Sequence, residues 1–261
     1  MENPSEEQPG PDPSPTFIRP PGLEFAMGIA LFGVIVLLFF LVQSGVFING
    51  VIDRSPDLRE QGFSFRLLDD PIMQERMATL MSNGDLIGQA ALWSGLAGVL
   101  AILASVLLWK RSLTSQFLGL RIPAFKHFLI WAGVFILLGL IIEGLAYLSP
   151  VFRSDFMTDI LGNTTNMVVL YLGVGVMAPF FEEFLLRGLL FGSVRHLADE
   201  HIAVAATAGV FTIMHMQYTP AVMLLILPLG VVLGYARAKS GSIWVPVALH
   251  MLNNLATVAF P

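Results

Sequence analysis

The sequence contains no cysteine. That excludes disulfides, thiolate metal sites and a cysteine nucleophile. Charge is scarce as well: Lys, Arg, Asp and Glu make up 13% of the 261 residues, against roughly 25% in a soluble domain. The balance is acidic, with 14 basic and 19 acidic residues. No basic stripe of the kind that tracks phosphates is present, which excludes nucleic acid as a partner. Histidine occurs only five times, so its placement is informative. What the chain has in abundance is apolar residues, 55% of the total, with a mean hydropathy of +0.74. Together with long uncharged runs, this places it among polytopic membrane proteins, whose first partner is the lipid bilayer. The 24 glycines suit helices that pack closely in lipid. The expected fold is all-α, a transmembrane helical bundle of about seven spans.

Three regions follow from composition. Residues 1–22 hold seven of the 16 prolines and several acids with almost nothing apolar, the signature of a disordered, solvated tail. The tail lacks the basic start of a signal peptide. Residues 23–160 carry the N-terminal transmembrane helices and a polar connection at about 49–85. Residues 161–261 hold the remaining helices and nearly all of the membrane-buried polar side chains. Spans are expected at 23–47, 86–109, 128–148, 166–196, 202–217, 221–238 and 242–260. Within the polar connection, Asp70-Pro71 reads as a helix start, Asp as N-cap and Pro at the first helical position. Ile72, Met73, Met77, Leu80 and Met81 then share a face, as in a short helix lying on the membrane surface. Asn163-Thr164-Thr165 is a glycosylation sequon, without consequence in a bacterium.

Orientation follows from positive charge. Lys110, Arg111, Arg121 and Lys126 follow the second span, Arg195 the fourth, and Arg237 and Lys239 the sixth. By the positive-inside rule these loops are cytoplasmic, which puts the N-terminus inside and, with seven spans, the C-terminus outside. The four arginines of the 49–85 connection run against the rule; its length and its excess of acids soften them.

The fourth span carries charge where lipid tolerates it poorly. Its centre reads Ala178-Pro-Phe-Phe-Glu182-Glu183-Phe-Leu-Leu-Arg187-Gly188. An acidic or basic residue at mid-bilayer costs about 2.5–3.5 kcal/mol, whereas each Leu, Ile, Phe or Val returns about 0.3–0.6 kcal/mol. The large apolar residues around this stretch offset little more than one of the three charges, so the charges face protein or water. Glu183 and Arg187, four apart with the acid first, form an ion pair. An ion pair alone accounts for helix packing. Glu182, about 100° round the helix, has no partner on its own element, and an unpaired intramembrane carboxylate suits a general base.

Of the histidines, His127, His196 and His201 fall near membrane boundaries, as does Glu143, and are read as interfacial. His215 and His250 fall inside apolar segments. Depth brings them together. Spans four and five are antiparallel across a short turn, and Glu182 and His215 both lie roughly 20 Å from the same end at the rise of an α-helix. His250 and Asn254, one turn apart on the seventh span, lie roughly 12–18 Å in by the same rise. Asn253 points elsewhere and is read as helix–helix glue, and Phe211 as packing one turn before His215.

A carboxylate and a histidine can polarise water between them, and a second histidine with an amide can donate to an oxyanion. That is equipment for hydrolysis of an amide. No serine or aspartate completes a triad, and no His-Glu-x-x-His is present. A divalent metal held by Glu182, His215 and His250 remains chemically possible; direct acid–base chemistry is the preferred reading, with no cofactor expected.

Glu182-Glu183-x-x-x-Arg187, then Phe211-x-x-x-His215, then His250-x-x-x-Asn254 resemble the motif set of the CAAX prenyl protease and bacteriocin-processing family, the Abi or CPBP membrane proteases. The stretch Gly234-Tyr-Ala-Arg-Ala-Lys-Ser-Gly-Ser-Ile-Trp244, running into Val-Pro-Val-Ala-Leu-His250, is similar to that family too, as is Phe117-Leu-Gly-Leu-Arg121. The resemblance covers about residues 165–257. It implies an intramembrane endopeptidase of the glutamate type acting on a membrane-anchored protein or peptide. Glu182 would activate water with His215, and His250 with Asn254 would form the oxyanion site. Glu183 and Arg187 match the remaining motif positions and would be structural. The short chain and the Gly-Ser-Ile-Trp segment resemble bacterial members, which implies the bacterial inner membrane. The alternative is a non-catalytic immunity or peptide-binding protein of the same fold. A proton-coupled transporter is a third possibility that no inverted repeat supports.

Overall fold

In a computed structural model the structure describes residues 19–260. Residues 1–18 of the proline-rich tail lie outside the described residues, and its last two residues already belong to the first helix. Every regular element among the described residues is helical. The main helices are α1 (Pro21–Asp53), α2 (Pro71–Leu80), α3 (Gly84–Lys110), α4 (Phe125–Leu148), α5 (Met167–Val194), α6 (Glu200–Ile213), α7 (Pro220–Ser240) and α8 (Trp244–Ala259).

Five of these, α1, α3, α4, α5 and α7, are long and apolar enough to cross a membrane. The expected fifth and seventh spans are shorter, α6 at 14 residues and α8 at 16, below the roughly 20 that a crossing needs. Helix α6 starts where Asp199 accepts from the Ile202 amide at 3.0 Å and stops at Ile213, four residues before the expected end. The chain then turns through 214–219, and Pro220 opens α7, capped by Thr219. Gly241, at φ 65°, closes α7 in the left-handed conformation that glycine adopts without strain.

Helix α5 is the hub. It contacts α1, α3, α6 and α8, while α7 leans on α6, α8 and α4. Helix α4 is peripheral, with Phe135 its only buried residue. Its flanks of exposed Leu, Ile and Val suit contact with acyl chains. At the end of the bundle carrying Lys110, that residue pairs with Glu24 and so ties α3 to α1.

The contact between α3 and α5 is made by missing side chains. A Cβ on Gly173 would lie 2.1 Å from the Gly88 carbonyl oxygen, and one on Gly88 would lie 2.7 Å from that of Val169. A Cβ on Gly98 would fall onto the Phe181 ring. Helices without side chains at the crossing approach backbone to backbone, the geometry by which membrane helices gain packing in a solvent as apolar as themselves. Gly173→Leu is therefore expected to lower stability by about 3 kcal/mol, the upper end for overpacking. A thermal melt of the purified protein in detergent checks this; a wild-type midpoint would refute the close crossing.

The 49–85 connection is more structured than a polar loop. Helix α1 runs on to Asp53, a short helix covers Pro56–Gln61, and α2 begins where Asp70 accepts from the Ile72 amide at 2.8 Å. The apolar face of α2 is only partly free. Met73 is fully buried, and Met77 and Leu80 pack with it against Val51, Ile52, Leu58, Leu67 and Leu86. Ile72 and Met81 alone of the five stay exposed. The extra turns of α1 present the apolar surface that covers the α2 face expected to lie on the membrane.

Candidate active site

Helix α5 is not a uniform α-helix. Tyr171–Met177 and Phe184–Leu190 are π-helical, and the α-helical turn Ala178–Glu183 lies between them. Such wider turns inside helices occur frequently at functional sites. Here they bracket the two glutamates.

Glu183 and Arg187 form the ion pair that their spacing predicts, Nη1 to Oε1 at 2.8 Å, and both side chains are wholly buried. Arg187 also donates from Nη2 to the Gly230 carbonyl on α7 at 2.9 Å and stands over the Phe211 ring at 4.8 Å. The same Glu183 oxygen lies 2.9 Å from His250 Nδ1. A carboxylate oxygen paired with a guanidinium only accepts, so Nδ1 carries the proton and the ring orientation is set. Glu183 thus joins α5 to α8, and Arg187 joins α5 to α7.

Glu182 has a different environment. Its side chain retains 18% exposure, and its Oε2 lies 3.8 Å from His250 Nε2. That oxygen is itself buried and has no hydrogen-bond partner among the described residues. Glu183 Oε2 and Arg187 Nε are in the same state. Buried polar atoms without partners are rare in folded proteins, and here they converge on one place.

His215 lies in the turn after α6, two residues past Ile213, and not inside a span as its sequence context indicated. Its Nδ1 is 2.7 Å from the Phe211 carbonyl oxygen. A carbonyl only accepts, so in the neutral ring Nε2 keeps its lone pair. Phe211 lies between the two histidines, its ring 4.6 Å from that of His215 and 5.3 Å, edge to face, from that of His250. Asn254 faces α5 and donates from Nδ2 to the Val174 carbonyl at 3.0 Å. Asn253 reaches Asn254 Oδ1 from Nδ2 at 3.5 Å. Among the expected interfacial groups, Glu143 is exposed, His201 meets the Tyr235 hydroxyl at 2.7 Å, and His196 meets Lys110 at 3.2 Å.

The structure therefore joins Glu182, Glu183, Arg187 and His250, sets Phe211 between His250 and His215, and bonds Asn254 to α5 at Val174. Tyr218 was missing from the sequence reading. It lies in the 214–219 turn, with its ring nearly parallel to that of His215 at 6.2 Å and edge-on to Phe156 at 5.3 Å. Burial, and after it the negative charge of Glu182, pushes its phenol above the usual value, so it stays a hydrogen-bond donor. The Gly230 and Val174 carbonyls were also missed, since a backbone acceptor leaves no trace in residue type. Among the described residues no three histidine or carboxylate side chains group as a metal site.

Two of three comparisons with known proteins found a match. The chain is similar to an uncharacterized 24.3 kDa protein of Escherichia coli, 29% identical over 127 residues, which are 47% of this chain and 55% of that protein. It thus spans about half the length of that curated relative. No solved structure matches. The family model described as type II CAAX prenyl endopeptidase Rce1-like matches residues 164–256, the stretch from the start of α5 into α8 that holds every residue of the cluster. Residues 164–256 of this membrane protein are thus similar to the type II CAAX prenyl endopeptidase Rce1-like family.

Proposed function

We propose that the chain is an intramembrane endopeptidase that cleaves a membrane-anchored peptide or protein with water activated by Glu182 and His215. The observation that carries this reading is the contrast between two adjacent carboxylates. Glu183 is consumed by Arg187 and His250, whereas Glu182 keeps a buried oxygen that nothing bonds, 3.8 Å from an imidazole nitrogen. A water between Glu182 and the Nε2 lone pair of His215 gives up a proton as its oxygen attacks the scissile carbonyl. The C–N bond then breaks, and the proton passes to the leaving amine. His250 donates to the oxyanion from Nε2 as an imidazolium, with Nδ1 held by Glu183. Asn254 supplies the second donor.

In this reading no metal takes part. Incubation with o-phenanthroline is expected to leave cleavage of a membrane-tethered peptide unchanged; inhibition that added zinc reverses would replace the acid–base mechanism with a metal-assisted one. The lysine- and arginine-bearing loops face the cytoplasm, and the N-terminus with them, in a bacterial inner membrane. The direct test of function is mass spectrometry of membrane proteins from cells with wild-type protein and with Glu182→Ala. A terminus processed in the first and retained in the second identifies substrate and cut site together. Binding of candidate peptides with no product on prolonged incubation would instead make this an immunity or peptide-binding protein.

A further inference from the structure

The Val174 carbonyl has lost both backbone donors that a helix could offer it. In an α-helix its partner is the amide of Ala178, but across the π turn that amide bonds Gly173 instead. In π register its partner is the amide of residue 179, and residue 179 is proline, which has no N–H. The acceptor is left open toward α8, and Asn254 Nδ2 occupies it at 3.0 Å. An unpaired carbonyl inside a membrane helix bundle is costly, which favours this bond. One amide proton of Asn254 is committed to Val174, and the other is directed by it.

From this we propose that Pro179 is a positioning residue for Asn254. By withholding an N–H it reserves the Val174 carbonyl for the Asn254 amide, which in turn aims the remaining N–H at the reacting carbonyl of the substrate. The inference rests on the endopeptidase reading above. Proline has a second effect in the same direction. Its ring crowds the carbonyl four residues back, that of Gly175, and so opposes reversion of this turn to α geometry. Reversion would return the Ala178 amide to Val174.

The test is a double-mutant cycle between Pro179→Ala and Asn254→Ala, assayed in single turnover on the full-length protein in detergent or nanodiscs. Pro179→Ala is expected to lower kcat about tenfold with KM unchanged, within the range of a misaimed oxyanion donor. In the Asn254→Ala background the same change is expected to have less than about a twofold effect, since there is no amide left to aim. A wild-type kcat for Pro179→Ala would overturn the proposal, and so would an equal fractional loss in both backgrounds, which marks a general structural role. Pro179→Gly restores the same N–H and replaces the alanine variant if that does not fold. Failure of the endopeptidase reading looks different: Glu182→Ala would then retain full cleavage whatever happens at position 179.

Discussion

Glu182→Gln is expected to lower peptide cleavage by about 10²–10⁴-fold, the contribution of a positioned general base, while the thermal midpoint stays at or slightly above wild type. The stability half of this follows from what Glu182 lacks. Its Oε2 is buried without a hydrogen-bond partner, so no hydrogen bond from that oxygen holds a helix in place. Replacing an unsatisfied carboxylate by a neutral amide of the same shape removes a desolvation penalty and breaks no bond. Activity assayed beside a melting curve checks both halves. Undiminished cleavage would remove Glu182 from the chemistry; a large loss of stability would make it a structural residue.

The neighbouring carboxylate should behave in the opposite way. Glu183→Ala is expected to destabilise the protein by about 3–5 kcal/mol, because it strands a wholly buried guanidinium and removes the acceptor that orients His250. Arg187→Ala should cost a similar amount, since it leaves Glu183 uncompensated and frees the Gly230 carbonyl. Removing both charges at once separates packing from chemistry. Glu183→Leu with Arg187→Met should recover most of the stability, as buried pairs replaced by apolar groups often do. It should not recover cleavage, because His250 Nδ1 still has no carboxylate to face. Thermal or chemical unfolding of the single and double variants decides this. A Glu183→Ala protein as stable as wild type would show that the bridge from α5 to α8 does not hold the bundle together.

These two adjacent glutamates also show where sequence reasoning reached and where it stopped. The pairing of Glu183 with Arg187 was legible because it depends only on a four-residue spacing within one helix, and the idleness of Glu182 followed from the same geometry. The partnership of Glu183 with His250 was not legible. It joins residues 67 positions apart and depends on how closely α8 approaches α5. On the sequence, His250 was grouped with Asn254 because they share a face. In the structure both face α5, but they bond different residues there, Glu183 and Val174. His215 was assigned to a span on apolar character alone, which cannot distinguish the last turn of a helix from a compact turn beyond it. The π turns were invisible because the apolar pattern of α5 runs nearly all the way round the helix and carries no period to be disturbed.

Composition and local spacing were enough to determine an all-helical membrane protein, the helix start at Asp70, the Glu183–Arg187 pair and the short set of polar residues that lipid excludes. Each of these depends on neighbours in the chain or on transfer from water to lipid, and both are properties of residue type. Only the tertiary structure decided that α5 widens on either side of its glutamates, that glycines let α3 meet it backbone to backbone, and that α2 turns its methionines onto α1. It alone, too, gave the Val174 carbonyl to Asn254. Those outcomes depend on distances between helices, which close packing sets and which no single segment encodes.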